Sequence, residues 1–322
     1  MIPKAELHVH LEGTAPPELI GRIAQRNGLT VPQGLLGDDE RFTFTDFLDF
    51  LAAYDRAASV IRTGEDYRDI TYEYLRACAD EGAIYVELTC SPDHAALVGL
   101  SDSEHVEGIA RGIDDAREHG IEGRILVSAV RNFGVEQALR VARYAAERPH
   151  PYVVGFSMAG DEKNFPAGQF AEAYATASAA GLGCTMHAGE WAGPESVRAA
   201  LELPITRISH GVRAMEDPAL VGELAERGIV LECCPTSNVV LGVYPSYAEH
   251  PLPQLADAGV RLTLGSDDPP YFGASIGGEY AIAQEKLGFD EDRLKAITAT
   301  AIDAAFCDDA LKTELRERAA TL

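Results

Sequence analysis

Two histidines stand two residues apart in the apolar run AELHVH, residues 5–10, which reads as a strand. Positions i and i+2 of a strand project to one side of a sheet, so His8 and His10 aim both imidazoles at one small region. That geometry suits a shared metal ion; the plainer reading of the tripeptide alone is a pair of half-buried histidines bonded to backbone. Other apolar runs end in residues of the same kinds: His187 and Glu190, His210, the pair Asp267 and Asp268, and Gly160 followed by Asp161 and Glu162. Three imidazoles and a carboxylate make a zinc set with a position left open for water, at Zn–N distances of about 2.0–2.1 Å. His8, His10, His187 and Asp267 are the expected ligands, and His210 is an alternative that spacing does not rule out. The run YVVGFSMA offers neither a lysine nor an acid to bridge a second ion, so one metal per chain is expected.

Residues so far apart in the chain meet only if the elements that carry them are arranged for it. Eight short apolar runs recur: 5–10, 83–90, 123–130, 152–159, 183–188, 207–212, 229–234 and 261–266. Amphipathic stretches separate them. In one, Tyr67, Ile70, Tyr74, Leu75 and Cys78 fall at helical spacing and Gly82 sits where the helix would end. This helix, glycine, strand junction repeats along the chain, as βα units require. Eight strands apolar on both faces point to an α/β fold, a (β/α)8 barrel of the TIM type, with an extra helical pair after strand one over 38–62. No glycine-rich phosphate fingerprint follows strand one, which argues against an open doubly wound sheet. One domain spanning 1–322 is expected. Barrel enzymes carry their chemistry at the C-terminal strand ends, where four of the nine histidines fall. The other five, His94, His105, His119, His150 and His250, are expected on the surface. Asp161 and Glu162 read as a solvated loop beside Gly160, whose backbone alone would matter.

Composition narrows the partners. A net charge of -24 opposes nucleic-acid binding, which needs a basic footprint. No apolar run reaches the ~18 residues of a membrane span and no signal peptide is evident, so a cytoplasmic protein with a small-molecule substrate is expected. The six cysteines show no CxxC spacing and read as buried thiols.

Taken in order, the motifs AELHVHLEGT, FLAAYD, AGDE, MHAGE, ISHGV, CPTSN and SDDP resemble the adenosine and adenine deaminase family of the metal-dependent amidohydrolase superfamily. The resemblance runs nearly the whole chain and implies the same barrel fold. It makes His8, His10, His187 and Asp267 the zinc ligands and gives His210 the task of orienting and helping to deprotonate the attacking water. It gives Glu190 the protonation of purine N1, Asp268 the contact to N7 and the Gly160 N–H the contact to N3. Phe50 and Leu51 of FLAAYD would line a helical lid, although Phe47, Phe50, Leu51 and Tyr54 also form an ordinary core stripe. The implied reaction replaces the 6-amino group of a purine by hydroxyl, and zinc assists it by lowering the pKa of bound water to about 7.

The substrate signals are mixed. HLEGT, with Glu12 where nucleoside enzymes carry Asp, and SDDPPYFG resemble the adenine type, whereas AGDE resembles the nucleoside type. Adenosine is placed slightly ahead of adenine, with N6-substituted purines as further candidates. A zinc hydrolase of cyclic amides would need only HxH, and the HAGE and SDDP pair argues against it.

Overall fold

The eight apolar runs are strands, and every pairing between them is parallel. The computed structural model describes residues 2–321. The strands are β1 (Lys4–His10), β2 (Ala83–Cys90), β3 (Glu122–Val130), β4 (Val153–Ala159), β5 (Gly183–Cys184), β6 (His187–Ala188), β7 (Arg207–His210), β8 (Val230–Cys233) and β9 (Arg261–Leu264). β5 and β6 are two halves of one run: β5 pairs with β4, and β6 pairs with β7. Between the halves, Thr185 N–H donates to Phe156 O at 3.2 Å and Met186 O accepts from Ser209 N–H at 2.9 Å, so the ladder continues across the break. The ring closes where β1 meets the residues after β9. His10 N–H donates to Asp267 O at 2.9 Å, and Asp267 N–H donates to His8 O at 3.2 Å. This is the α/β barrel expected.

Alternating helices cover the strands and bury their outer faces, which is why the strands are apolar on both sides. The helix Gly64–Asp80 begins with a capping box, in which Thr63 accepts from Asp66 N–H and Asp66 accepts from Thr63 N–H. Extra helices do precede it after β1, at Pro17–Arg26 and Phe47–Ala58. Within 38–62, however, there is one helix and not a pair. Its start is set by Asp46, whose side chain accepts from Asp49 N–H, and the polar run Asp38–Arg41 before it forms a turn with Glu40 at φ 59°.

A buried charged layer lies inside the barrel beneath the C-terminal rim. Arg207, three residues before His210 on β7, reaches Glu87 at 2.7 Å and Glu232 at 2.6 Å. All three are fully buried, so losing any one would leave an uncompensated charge in the core. The six cysteines are all buried and free. Among the described residues, no helix is long and apolar enough to cross a membrane.

Candidate active site

The C-terminal ends of β1, β6, β7 and β9 bring His8, His10, His187, His210 and Asp267 to one point. His8 Nε2 and His10 Nε2 each lie 3.2 Å from His187 Nε2 and 3.3 Å from Asp267 Oδ1. The tautomers of two of these rings are set by backbone. His8 Nδ1 donates to Glu232 O at 3.0 Å, and His187 Nδ1 donates to Met158 O at 3.0 Å. Each neutral ring therefore points an Nε2 lone pair at the other. Two lone pairs 3.2 Å apart repel unless a cation lies between them. Donor atoms 3.2–3.3 Å apart are spaced as neighbouring ligands of one ion at Zn–N lengths of about 2.0–2.1 Å. The donor set thus fits a metal ion. His210 also lies within reach, its Nε2 3.8 Å from Asp267 Oδ2.

Backbone strain holds two of these side chains in place. His210 and Asp267 have φ of 61° and 64°, in the left-handed region that non-glycine residues seldom adopt. Asp267 Oδ2 accepts from Ser237 Oγ at 2.6 Å. Burial pushes the Asp267 carboxyl upward, but the adjoining His10 and His8 rings outweigh it and hold it well below the usual range. Burial, then the neighbouring His8, lowers His187 strongly and pushes His210 down to about 3.

Two further acids face the same cavity. Glu190 Oε2 lies 3.6 Å from His210 Nε2, and burial followed by the charge of Asp267 holds its carboxyl well above the usual range. Asp268 is raised in the same way, by burial first and then by Asp267, and its Oδ1 is buried with no hydrogen-bond partner. A protonated acid with an unused oxygen is suited to a ligand nitrogen. Asp268 also explains Gly13 of HLEGT, because a Cβ there would lie 1.8 Å from Asp268 Oδ1. Gly160 lines the cavity at φ 105°, and a Cβ on it would lie 2.4 Å from Asn132 Oδ1. Only glycine brings the main chain that close.

Glu12 lies at another wall of the cavity, almost fully buried. Its carboxylate accepts from Tyr54 OH at 3.1 Å, Tyr67 OH at 3.3 Å and Ser91 N–H at 3.0 Å, with His105 Nε2 at 3.8 Å. Phe50 is buried in an aromatic cluster with Phe44, Tyr271 and Phe272, as the core reading expects, and it also lines the cavity. The ring of Phe47 on the same helix lies 4.7 Å from that of Trp191, which rests this helix against the HAGE loop.

Three histidines expected on the surface are buried. His94 lines the cavity with Nε2 2.8 Å from Asp55, His105 backs Glu12, and His250 sits behind His210. Glu162 is likewise no solvated residue. Its buried carboxylate accepts from the N–H groups of Gly189, Glu190, Trp191 and Ala192 and from Ser196 Oγ, so it shapes the loop that presents Glu190. Asp161 stays at the half-exposed edge, capping Lys163 and Asn164.

The family model described as adenosine deaminase matches residues 3–322. An adenine deaminase of Chelativorans sp. (strain BNC1) is 49% identical over 99% of this chain and 98% of its own. The crystal structure of adenine deaminase from Arthrobacter aurescens superposes with a TM-score of 0.93 at 31% identity, over 100% of this chain and 99% of that one. A zinc-bound amidohydrolase from Burkholderia ambifaria superposes with a TM-score of 0.89 at 27% identity, over 99% and 90%.

Proposed function

The chain belongs to the adenosine deaminase family and hydrolytically deaminates a 6-aminopurine, and on that premise we propose that its substrate is free adenine, which becomes hypoxanthine and ammonia. This reverses the order expected from the motifs, which put adenosine ahead. The observation that carries it is the state of Glu12. Two tyrosine hydroxyls and a backbone N–H already take three of roughly four acceptor sites of its carboxylate, so the side chain is pinned in place and walls off that end of the cavity. The adenine deaminases related over the whole chain agree with this choice.

His8, His10, His187 and Asp267 would hold one zinc ion, whose chemistry is to lower the pKa of water to about 7. The protein's own groups do the rest. Glu190, with its carboxyl held high, carries a proton to purine N1 as attack at C6 pushes electrons toward that nitrogen. Asp268 keeps its proton and donates it in a hydrogen bond to N7. The Gly160 N–H meets N3. His210 orients the attacking water, and the helix bearing Phe47 and Phe50 keeps bulk water out. A cytoplasmic setting suits the six unpaired cysteines.

The test is ammonia release from adenine, adenosine, deoxyadenosine and N6-substituted adenines. The ratio kcat/KM should favour adenine over adenosine by ~100-fold or more. Equal values, or a preference for adenosine, would overturn the assignment.

A further inference from the structure

Behind His210 runs a buried chain of hydrogen bonds whose direction is set at its far end. Leu252 opens the helix Leu252–Asp257, and its N–H points at His250 Nδ1 at 3.2 Å. A backbone N–H can only donate, so Nδ1 must carry a lone pair and the proton of His250 must sit on Nε2. His250 Nε2 lies 3.1 Å from Asn238 Oδ1, which accepts from it. That fixes the Asn238 amide, because the opposite orientation would set a donor against a donor. Asn238 Nδ2 therefore faces His210 Nδ1 at 3.2 Å as a donor, and Nδ1 of His210 accepts. The one ring proton of His210 is left on Nε2, the atom that faces Glu190 and Asp267. Asn238, His210 and His250 are all buried to 1% exposure or less, and each link is a direct contact of 3.1–3.2 Å. The contrast with His8 and His187 is direct, since backbone carbonyls take their Nδ1 protons and leave Nε2 bare.

We propose that Asn238 and His250 are positioning residues that fix His210 as the Nε2–H tautomer, so that His210 meets the attacking water as a hydrogen-bond donor and serves neither as a metal ligand nor as the acceptor of the water's proton. The catalytic part rests on the deamination reading above; the tautomer does not. Glu190 gives its own proton to N1 as the C6–O bond forms, and the carboxylate so created, whose Oε2 lies 3.6 Å from His210 Nε2, takes the proton from the breaking O–H bond that His210 cannot accept. The C6–N bond then breaks, and the amine leaves as ammonia with the water's second proton.

Metal-loaded, full-length protein with 15N-labelled histidine answers this by two-bond 1H–15N correlation spectra. His210 and His250 should both show the Nε2–H pattern; an Nδ1–H pattern for His210 overturns the proposal. Asn238→Asp keeps the shape but offers only acceptors, which pulls the His210 proton to Nδ1. Its kcat on adenine should fall by ~100-fold or more, with KM and metal content unchanged. A kcat within about threefold of wild type overturns the proposal. His250→Gln preserves the direction, because its amide oxygen can accept from Leu252 and its NH2 can donate to Asn238. It should keep kcat within about threefold, and a loss as large as that of Asn238→Asp counts against the relay. If Asn238→Asp fails to fold, the wild-type spectra and His250→Gln still decide. If wild-type protein releases ammonia from no purine, the deamination reading falls, while the spectra still test the tautomer.

Discussion

The Glu162 carboxylate sits beneath the backbone of Glu190, accepting its N–H at 2.9 Å together with those of Gly189, Trp191 and Ala192. An acid on the loop after β4 thereby sets the main-chain path of an acid on the loop after β6. Glu162→Ala would leave four buried or part-buried N–H groups and the Ser196 hydroxyl without their acceptor. Unfolding in denaturant should show a loss of ~3–5 kcal/mol. Adenine turnover should fall by ~10-fold or more as Glu190 loosens. A stability within ~0.5 kcal/mol of wild type would show that the loop does not depend on Glu162.

Zinc content and turnover should separate by residue. His187→Ala removes a lone pair from the four-donor set, so elemental analysis should find its metal weakly held or lost, against one zinc per chain in wild type. Glu190→Gln should keep the zinc and lose turnover by ~100-fold to 10,000-fold, since the amide preserves shape but has no proton acidic enough to transfer. Two metals per chain in wild type, or wild-type kcat in Glu190→Gln, would contradict these roles.

Glu12→Ala should change which purine is accepted. Removing the carboxylate opens the wall made with Tyr54 and Tyr67, and the adenosine-to-adenine ratio of kcat/KM should rise by ~10-fold or more. The orphaned Ser91 N–H should cost ~1–3 kcal/mol of stability. An unchanged ratio would mean that Glu12 does not read the N9 substituent.

Burial pushes His250 down to about 4, from an ordinary value near 6.5. The unfolded chain therefore binds a proton that the folded chain refuses between those two values. The resulting stability is fully present above pH 6.5 and is lost as the pH falls through about 4, by ~3 kcal/mol in all. In His250→Gln the acid-side decline should be shallower by about that amount. Melting temperatures from pH 4 to pH 8 measure it, and identical slopes for the two proteins would contradict the burial argument.

The strands and the rim residues were legible in the sequence because each depends on local pattern. Eight apolar runs punctuated by glycine have one economical arrangement, and His8, His187 and Asp267 each sit at the end of such a run. Glu162, His94, His105 and His250 were not legible. Each lies in a loop or helix with nothing local to distinguish it from a solvated residue, and each is buried by segments distant in the chain. His250 acquires its meaning only when Asn238, twelve residues earlier, folds back against it. The broken fifth strand was missed for a related reason, since GCTMHA is apolar throughout and the interruption at Thr185 and Met186 leaves no mark in composition.

The barrel closes between its first strand and the residues after its last, and three of the four candidate zinc ligands lie on that seam: His8 and His10 on one side, Asp267 on the other. During synthesis, His8 and His10 leave the ribosome first and have no partner at their edge until Asp267 follows them out. A nascent chain that stalls before that residue can hold neither a closed sheet nor a complete ligand set. A complete donor set thereby requires nearly the whole barrel sequence, and a chain cut short before Asp267 would lack both the closing seam and the fourth donor.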